Sequence, residues 1–175
     1  MELLKKIKDR APEYDSSFED LITKFTVVQG GRAGTASEGT SWEQGKYFTT
    51  KYEIYMYATL LGLRCNYRLP IKSNEKSKFI EIKSWQPSDL AEFVIMGLMA
   101  KSDIDFYEIE NKEDKEVEKD ILHFKKLMEE YANGGFDKLR AKLESDPSFF
   151  ENNDNCFIDL LEEKWLNEKS RILYK

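Results

Sequence analysis

The segment from Tyr52 to Leu63 constrains the fold more than any other part of the chain, because it is apolar nearly all round. Its apolar members are Tyr52, Ile54, Tyr55, Met56, Ala58, Leu60, Leu61 and Leu63. A surface helix keeps one polar face, whereas a helix that is apolar on every side is covered by its neighbours. The sequence therefore predicts a buried central helix, with Gly62 at the position where a glycine commonly ends a helix.

A second apolar segment, residues 88–100, predicts a helix that packs against the first. Ser88 is a favourable N-cap residue, and apolar residues then recur at helical spacing. Gly97 costs about 1 kcal/mol relative to alanine inside a helix, so we expect it to permit close packing against the Tyr52–Leu63 segment. These two helices are expected to form the centre of the fold.

Shorter periodic segments surround this pair. Further helices are predicted at residues 2–9, 17–28, 111–133, 136–145 and 156–169. The run Asn133-Gly134-Gly135 predicts a stop after the longest of these helices, because asparagine and glycine tolerate the left-handed conformation. Residues 66–72 and 78–83 predict two short strands around a turn at residues 73–76. The chain is therefore expected to be mainly α, a single-domain helical bundle over residues 1–175 with one short β-hairpin.

Residues 29–45 contain five glycines and no hydrophobic period. We expect a flexible surface loop there, although it is long for a compact domain. A phosphate cradle of Gly30, Gly31, Gly34 and Thr35 is disfavoured, because the lysine that a P-loop needs is missing. Partner contact through Trp42 remains a further possibility, since long loops often carry binding residues.

Charge is distributed unevenly along the chain. The whole chain has a net charge of −6, yet residues 46–83 carry eight basic and three acidic side chains. Such a local excess can attract a polyanion, although the acidic total weakens long-range attraction to nucleic acid. The candidate nucleic-acid-binding residues are Arg64, Arg68, Lys72, Lys76, Lys78 and Lys83. The alternative is that lysines on an exposed strand edge prevent sheet-to-sheet aggregation.

No metal, cofactor or membrane site is indicated by the sequence. Cys65 and Cys156 are the only cysteines and His123 is the only histidine, and none has a partner at metal-ligand spacing. Both thiols are expected to be buried and free, as is common in a reducing cytosol. The N-terminus lacks the apolar run of a signal peptide, and no window approaches about 18 uninterrupted apolar residues. We therefore expect a cytoplasmic protein with no cofactor.

The run from Glu129 to Phe136, followed by Leu139 and Leu143, resembles a segment of the small Dnd system-associated proteins. This family is also called DNA phosphorothioation-associated protein 4. Ala58 and Gly62 in the first apolar helix and the Arg-x-Pro-Ile sequence at residues 68–71 agree with it. The resemblance covers residues 47–161, while residues 29–45 and the tail after about Leu161 depart from it.

The resemblance implies a bacterial cytosolic accessory protein, encoded with a DNA phosphorothioation or restriction system that excludes foreign DNA such as that of phages. It supplies no catalytic residues, so we expect no enzymatic activity. The first hypothesis is a non-catalytic accessory protein that binds duplex DNA or other proteins of the same defence system.

Two alternatives belong to other classes. Glu81-Ile82-Lys83 is similar to the Glu-x-Lys of restriction-type nucleases, which would make the protein a metal-dependent hydrolase that uses Glu81 and Lys83. A pure protein-interaction adaptor could instead use the acidic half, residues 103–168, to meet a basic partner. The oligomeric state is open at this point.

Overall fold

The computed structural model describes residues 2–27, 47–72 and 74–163. Helices in these ranges are α1 (Glu2–Lys8), α2 (Glu19–Phe25), α3 (Lys51–Cys65), α4 (Ser88–Lys101), α5 (Asp114–Ser145), α6 (Ser148–Glu151) and α7 (Cys156–Glu162). Two strands, β1 (Glu13–Asp15) and β2 (Lys76–Lys78), form a small antiparallel sheet. Short 3₁₀ helices occupy Ser16–Phe18, Ile82–Ser84 and Glu108–Asn111. The expected mainly α fold is confirmed, and the strands that accompany it form a two-stranded antiparallel sheet where one short β-hairpin was predicted.

Helix α3 is buried as the sequence predicts, and its ends are set by side chains that the apolar pattern does not include. Ile54, Ala58 and Leu61 are fully buried. The Thr50 hydroxyl accepts a hydrogen bond from the Glu53 backbone N–H, and the Glu53 carboxylate accepts one from the Thr50 N–H at 3.3 Å. This capping box satisfies N–H groups that have no partner inside the helix.

The predicted end of this helix at Gly62 is wrong. The helix continues to Cys65, and Asn66 ends it in the left-handed conformation, with φ 47° and ψ 44°. Asparagine reaches this conformation more readily than most residues because its short side chain is polar and can bond locally. Gly62 instead lies inside α3 and faces α5, where a β-carbon would stand 2.0 Å from the carbonyl oxygen of Tyr131.

Helix α5 runs without a break through Asn133-Gly134-Gly135, so the predicted stop at this run is also wrong. All three residues are buried within the helix. A β-carbon on Gly134 would stand 2.2 Å from the Tyr67 carbonyl oxygen, and one on Gly135 would stand 1.8 Å from the Ala58 carbonyl oxygen. The glycines therefore let another backbone approach the helix, and the stabilisation from this close packing outweighs their low helix propensity.

The pairing of α3 with α5 is the tightest helix contact of the described chain, rather than the expected pairing of α3 with the helix at residues 88–100. Helix α4 does pack on α3, and a β-carbon on Gly97 would lie 3.7 Å from the Leu63 Cδ1 atom. That distance is ordinary van der Waals contact. Gly97 thus sits at the expected interface without being required there. Ser88 is the first residue of α4 and does not cap it through its side chain.

The small sheet joins two distant parts of the chain. Glu13 pairs with Lys78, Tyr14 with Ser77, and Asp15 with Lys76. The predicted hairpin between residues 66–72 and 78–83 does not form, because residues 66–72 run along α5, where the Leu69 N–H donates to the Glu130 carbonyl at 2.9 Å. After Lys78 the chain leaves the sheet and forms the 3₁₀ helix at Ile82–Ser84.

Aromatic rings fill two regions of the core. Trp85 and Tyr55 are almost completely buried, and their ring centroids are 5.4 Å apart. At the other region, Phe157 of α7 contacts Phe25, at a centroid distance of 5.3 Å, and Phe48, at 4.8 Å. A parallel bridge between Thr26 and Phe48 ties the end of α2 to the segment before α3.

Parts of the predicted organisation lie outside the described residues. They are the glycine-rich segment at residues 29–45 with its phosphate-cradle and Trp42 hypotheses, and the last helix beyond residue 163. Within the described ranges, none of the helices combines the length and the apolar character that crossing a bilayer requires.

Candidate functional site

Arg68, one of the six predicted nucleic-acid-binding residues, is engaged by the fold itself. Its Nε donates to the Glu130 carboxylate at 2.9 Å, and its guanidinium carbon lies 5.8 Å from the centroid of the Tyr131 ring. Glu130 is only 6% exposed. A buried carboxylate without a cation destabilises the folded state. Arg68 therefore compensates the charge of Glu130 within the fold.

Three more of the predicted cations contact acceptors of the same chain. The Lys76 Nζ lies 3.3 Å from a Glu13 carboxylate oxygen, and the Lys72 Nζ lies 3.8 Å from one of Glu75. At the end of α3, the Arg64 Nε donates to the Leu161 carbonyl at 3.2 Å. Lys76 and Lys72 therefore each lie beside a carboxylate of the same chain, whereas Arg64 contacts a neutral carbonyl.

Glu81 and Lys83, the candidate nuclease pair, are next to each other. The Lys83 Nζ lies 2.7 Å from Glu81 Oε2 and 3.2 Å from Asp9 Oδ1. Hydrogen bonds to Glu81 and Asp9 raise the pKa of Lys83. Asp9 follows α1, and the described residues contain no group of three Asp, Glu, His or Cys side chains placed to hold a metal. The hydrolase hypothesis stays a prediction.

Lys78 differs from the other five predicted cations. In the sheet it is opposite Glu13, but the Glu13 carboxylate lies near Lys76 and within 3.9 Å of the Lys125 Nζ. Lys78 is exposed, and it has no ion-pair partner among the residues that the structure describes. Its ammonium group is thus available to a ligand.

Lys78 lines an open groove of about 440 Å³ beside β2 and the start of α3. The groove is lined by Tyr14, Thr23, Thr26, Val27, Thr50, Lys51, Tyr52, Lys78, Phe79 and Ile80. Half of these residues are apolar or aromatic, and the other half are threonines and lysines. None of these ten carries a carboxylate, although the chain as a whole has a net charge of −6.

A hydrogen-bonded cluster of Tyr14, Glu19 and Lys51 fixes one wall of this groove. The Tyr14 hydroxyl and the Lys51 ammonium both donate to the Glu19 carboxylate. Burial, with a contribution from Glu19, raises the pKa of Tyr14 to about 12. Hydrogen bonds from Lys51 and then Tyr14 lower the pKa of Glu19. Near neutral pH the Tyr14 phenol is therefore neutral and the Glu19 side chain is a carboxylate.

Most of the groove residues could not be found from the sequence. Lys78 was among the predicted cations, but Tyr14, Thr23 and Lys51 come from separate segments of the chain. The register of β1 with β2 and the hydrogen bonds to Glu19 bring them together. No motif or spacing in the sequence signals such an assembly.

Helix α4 presents a second surface, which we call the α4 outer face and which consists of Phe93, Met96 and Ala100. Phe93 is 56% exposed and Met96 is 59% exposed, and Ala100 is exposed one turn further on. The opposite side of the helix is buried in the core through Val94, Ile95 and Leu98. The helix is thus apolar on both sides, but only one side is covered by the described residues.

These features define a small, mainly α protein with a groove lined by two lysines and a helix face of apolar side chains that the described residues leave exposed. A family model described as DNA sulphur modification system-associated protein 4 matches residues 38–170, which is 133 of 175 residues. The chain belongs to this family, as the resemblance of residues 47–161 predicted. The match also extends over residues 38–46 and 162–170, parts of which were expected to depart from the family.

No curated protein and no solved structure matches the chain at a significant level. The family places the chain among proteins associated with a DNA sulphur modification system. Helices α1 and α2 and strand β1 lie before the matched range, so Tyr14 of the groove lining and Glu19, which bonds to Tyr14 and Lys51, belong to the unmatched part of the chain.

Proposed function

We propose that this protein is a non-catalytic accessory component of a DNA sulphur modification system, and that it works by binding another protein of that system. Family membership supports the association with the system. The α4 outer face is the observation that supports a protein as the ligand, because Phe93 and Met96 lie one turn apart and are both more than half exposed. Adjacent exposed apolar side chains of this size are typical of interaction sites.

The partner that fits this surface is a protein with an apolar patch of its own. Burying one phenylalanine or methionine side chain stabilises a complex by roughly 1.5–3 kcal/mol. Helical faces with apolar residues three and four positions apart bind in this way to grooves of partner proteins. Glu92, which precedes Phe93 on α4, is paired with Lys8 of the same chain.

Affinity capture from the native host tests this proposal. The tagged full chain is expected to retain proteins encoded with the same modification system, identified by mass spectrometry. The double variant Phe93→Asp and Met96→Asp is expected to capture at least about tenfold less of these proteins than the wild type does. Ile158→Asp is the matched control, because Ile158 is also 59% exposed but belongs to α7.

Two results would contradict the proposal. In one, the wild type captures none of the proteins encoded with the system. In the other, the α4 double variant and Ile158→Asp capture them equally well. Circular dichroism of both variants establishes that they are folded.

Direct contact with duplex DNA is a second candidate function, favoured by the exposed Lys78 and by Lys72, whose side chain is 78% exposed. Binding through lysines weakens steeply as salt rises, because phosphate contacts release counterions. We expect the double variant Lys72→Glu and Lys78→Glu to lose affinity at low salt. Lys115→Glu with Lys119→Glu, on the exposed side of α5, is the control.

Arg68 is unsuitable for this test, although it is one of the predicted DNA-binding residues. Arg68→Glu would place a second carboxylate beside the buried Glu130 and destabilise the fold. If the wild type binds no duplex at low salt, or if both lysine pairs give equal losses, direct DNA contact through Lys72 and Lys78 is wrong.

A further inference from the structure

We infer that the groove beside β2 binds a small phosphate-bearing ligand of the size and polarity of a mononucleotide. This inference goes beyond the proposed partner binding, since it concerns a different surface of the molecule. It starts from the composition of the groove, in which lysines and threonines occupy half of the lining and aromatic or apolar residues occupy the other half.

The charge of the groove selects an anionic ligand. Lys51 and Lys78 both line it, and none of its ten lining residues is acidic. Lys51 is oriented by Glu19, while Lys78 has no ion-pair partner among the described residues. An ammonium group at a concave surface binds phosphate as a point charge, strengthened by charge-assisted hydrogen bonds. The Glu19 carboxylate offsets the charge of Lys51, so Lys78 is the cation of the described lining with which a phosphate can pair.

The size of the groove and its apolar residues favour a ligand that carries an organic group in addition to a phosphate. Its volume of about 440 Å³ is within the range of ligand pockets, which is roughly 300–1,000 Å³. Tyr52, Phe79 and Ile80 supply apolar surface next to the two lysines. A nucleoside monophosphate combines one anionic group with a flat base, and the π-face of any base can stack on an aromatic side chain.

Isothermal titration calorimetry of the full chain tests this inference. The probes are the four 5′-deoxynucleoside monophosphates, the matching nucleosides, inorganic phosphate and a short DNA duplex. The monophosphates are expected to bind at least about tenfold more tightly than the nucleosides or inorganic phosphate. Lys78→Ala is expected to weaken monophosphate binding about tenfold, while Lys72→Ala is expected to leave it unchanged, because Lys72 is exposed and is not among the groove-lining residues.

A second variant keeps the test independent of any single lysine. Ile80→Glu places a carboxylate in the groove at a side chain that is 49% exposed, so the fold should tolerate it while the anionic ligand is repelled. Ile158→Glu is its control on α7. Both lysine variants are expected to keep partner capture, because the α4 outer face is untouched.

Several results would overturn the inference. They are the absence of monophosphate binding, equal losses in Lys78→Ala and Lys72→Ala, and monophosphate affinity no higher than that of inorganic phosphate. Duplex binding without monophosphate binding would also overturn it, and would support direct DNA contact instead. Failure of partner capture alone would contradict the proposed function and leave this inference standing.

Discussion

Gly135 of α5 lies against the backbone carbonyl of Ala58 in α3, where a β-carbon would stand 1.8 Å from the carbonyl oxygen. The same arrangement recurs one turn away on α3, where Gly62 faces the Tyr131 carbonyl. Two helices in such backbone contact admit no side chain between them. Gly135 and Gly62 therefore fix the distance between α3 and α5.

This relationship predicts that Gly135→Ala destabilises the protein in spite of alanine's higher helix propensity. Overpacking of this kind typically costs about 1–3 kcal/mol or more, whereas the propensity gain is only about 1 kcal/mol. A free energy of unfolding from urea denaturation, followed by circular dichroism, measures the difference. We expect Gly135→Ala to be clearly less stable than the wild type.

Gly97→Ala is the matched control for this prediction. A β-carbon there would meet only the Leu63 side chain, at 3.7 Å, so alanine should stabilise α4 by about 0.5–1 kcal/mol. If Gly135→Ala and Gly97→Ala both stabilise the protein, α3 and α5 are not held in backbone contact.

Arg68 and Glu130 give a second prediction, because a partly exposed guanidinium compensates a carboxylate that is 6% exposed. Arg68→Ala leaves Glu130 with the Lys126 Nζ at 3.8 Å as its other cation. We expect a loss of about 1–2 kcal/mol in the free energy of unfolding. Adding Glu130→Gln should restore part of this loss, since the uncompensated charge is then removed.

Lys72→Ala should leave the free energy of unfolding within about 0.5 kcal/mol of the wild type, because Lys72 is largely exposed and 3.8 Å from Glu75. A double-mutant cycle without coupling between Arg68 and Glu130 would show that the pair contributes nothing.

The two cysteines are expected to resist alkylation in the native protein. Cys65 is 8% exposed and Cys156 is fully buried. Burial raises the pKa of Cys65 to about 11 and also raises the pKa of Cys156. Because the thiolate is the reactive form, iodoacetamide should label both thiols only after unfolding, as counted by mass spectrometry.

Ile158→Cys supplies a reactive thiol for comparison, since Ile158 is 59% exposed. This added cysteine should react in the native state while Cys65 and Cys156 stay unmodified. Native labelling of the original pair at the rate of the added cysteine would contradict their burial.

Tyr14 gives a prediction at alkaline pH. Its pKa is raised from 10.0 to about 12 in the folded protein. A raised pKa means that the unfolded chain loses this proton first, so the contribution to stability is complete below about pH 10 and disappears as pH rises toward about 12. Urea denaturation across this range should show the decline.

Tyr14→Phe is expected to remove part of that decline, and to cost about 1 kcal/mol near neutral pH through the lost hydrogen bond to Glu19. Tyr107→Phe is the control, because Tyr107 is 96% exposed. An alkaline decline of the same steepness in Tyr14→Phe and the wild type would show that Tyr14 does not contribute to it.

The sequence by itself determined where the main helices lie but not where they end, because apolar spacing is a pattern of neighbouring residues. The buried α3 and α4, the long apolar stripe of α5 and the mainly α class all follow from local patterns. The Glu129–Phe136 run also indicated the family that the match over residues 38–170 shows. The single-domain organisation over residues 1–175 stays a prediction.

Only the tertiary structure decided what individual residues do. Gly134 and Gly135 read as a helix stop, yet Tyr67 and Ala58 bring backbone against them and keep the helix continuous. The sequence predicted Arg68 as a DNA-binding residue, whereas in the structure its side chain bonds to the Glu130 carboxylate. Lys78 lines a groove, while Glu13, its partner in the sheet, lies beside Lys76 and Lys125. These roles depend on residues far apart in the chain, whose meeting is set by packing and charge compensation in the folded molecule, and no local pattern contains that information.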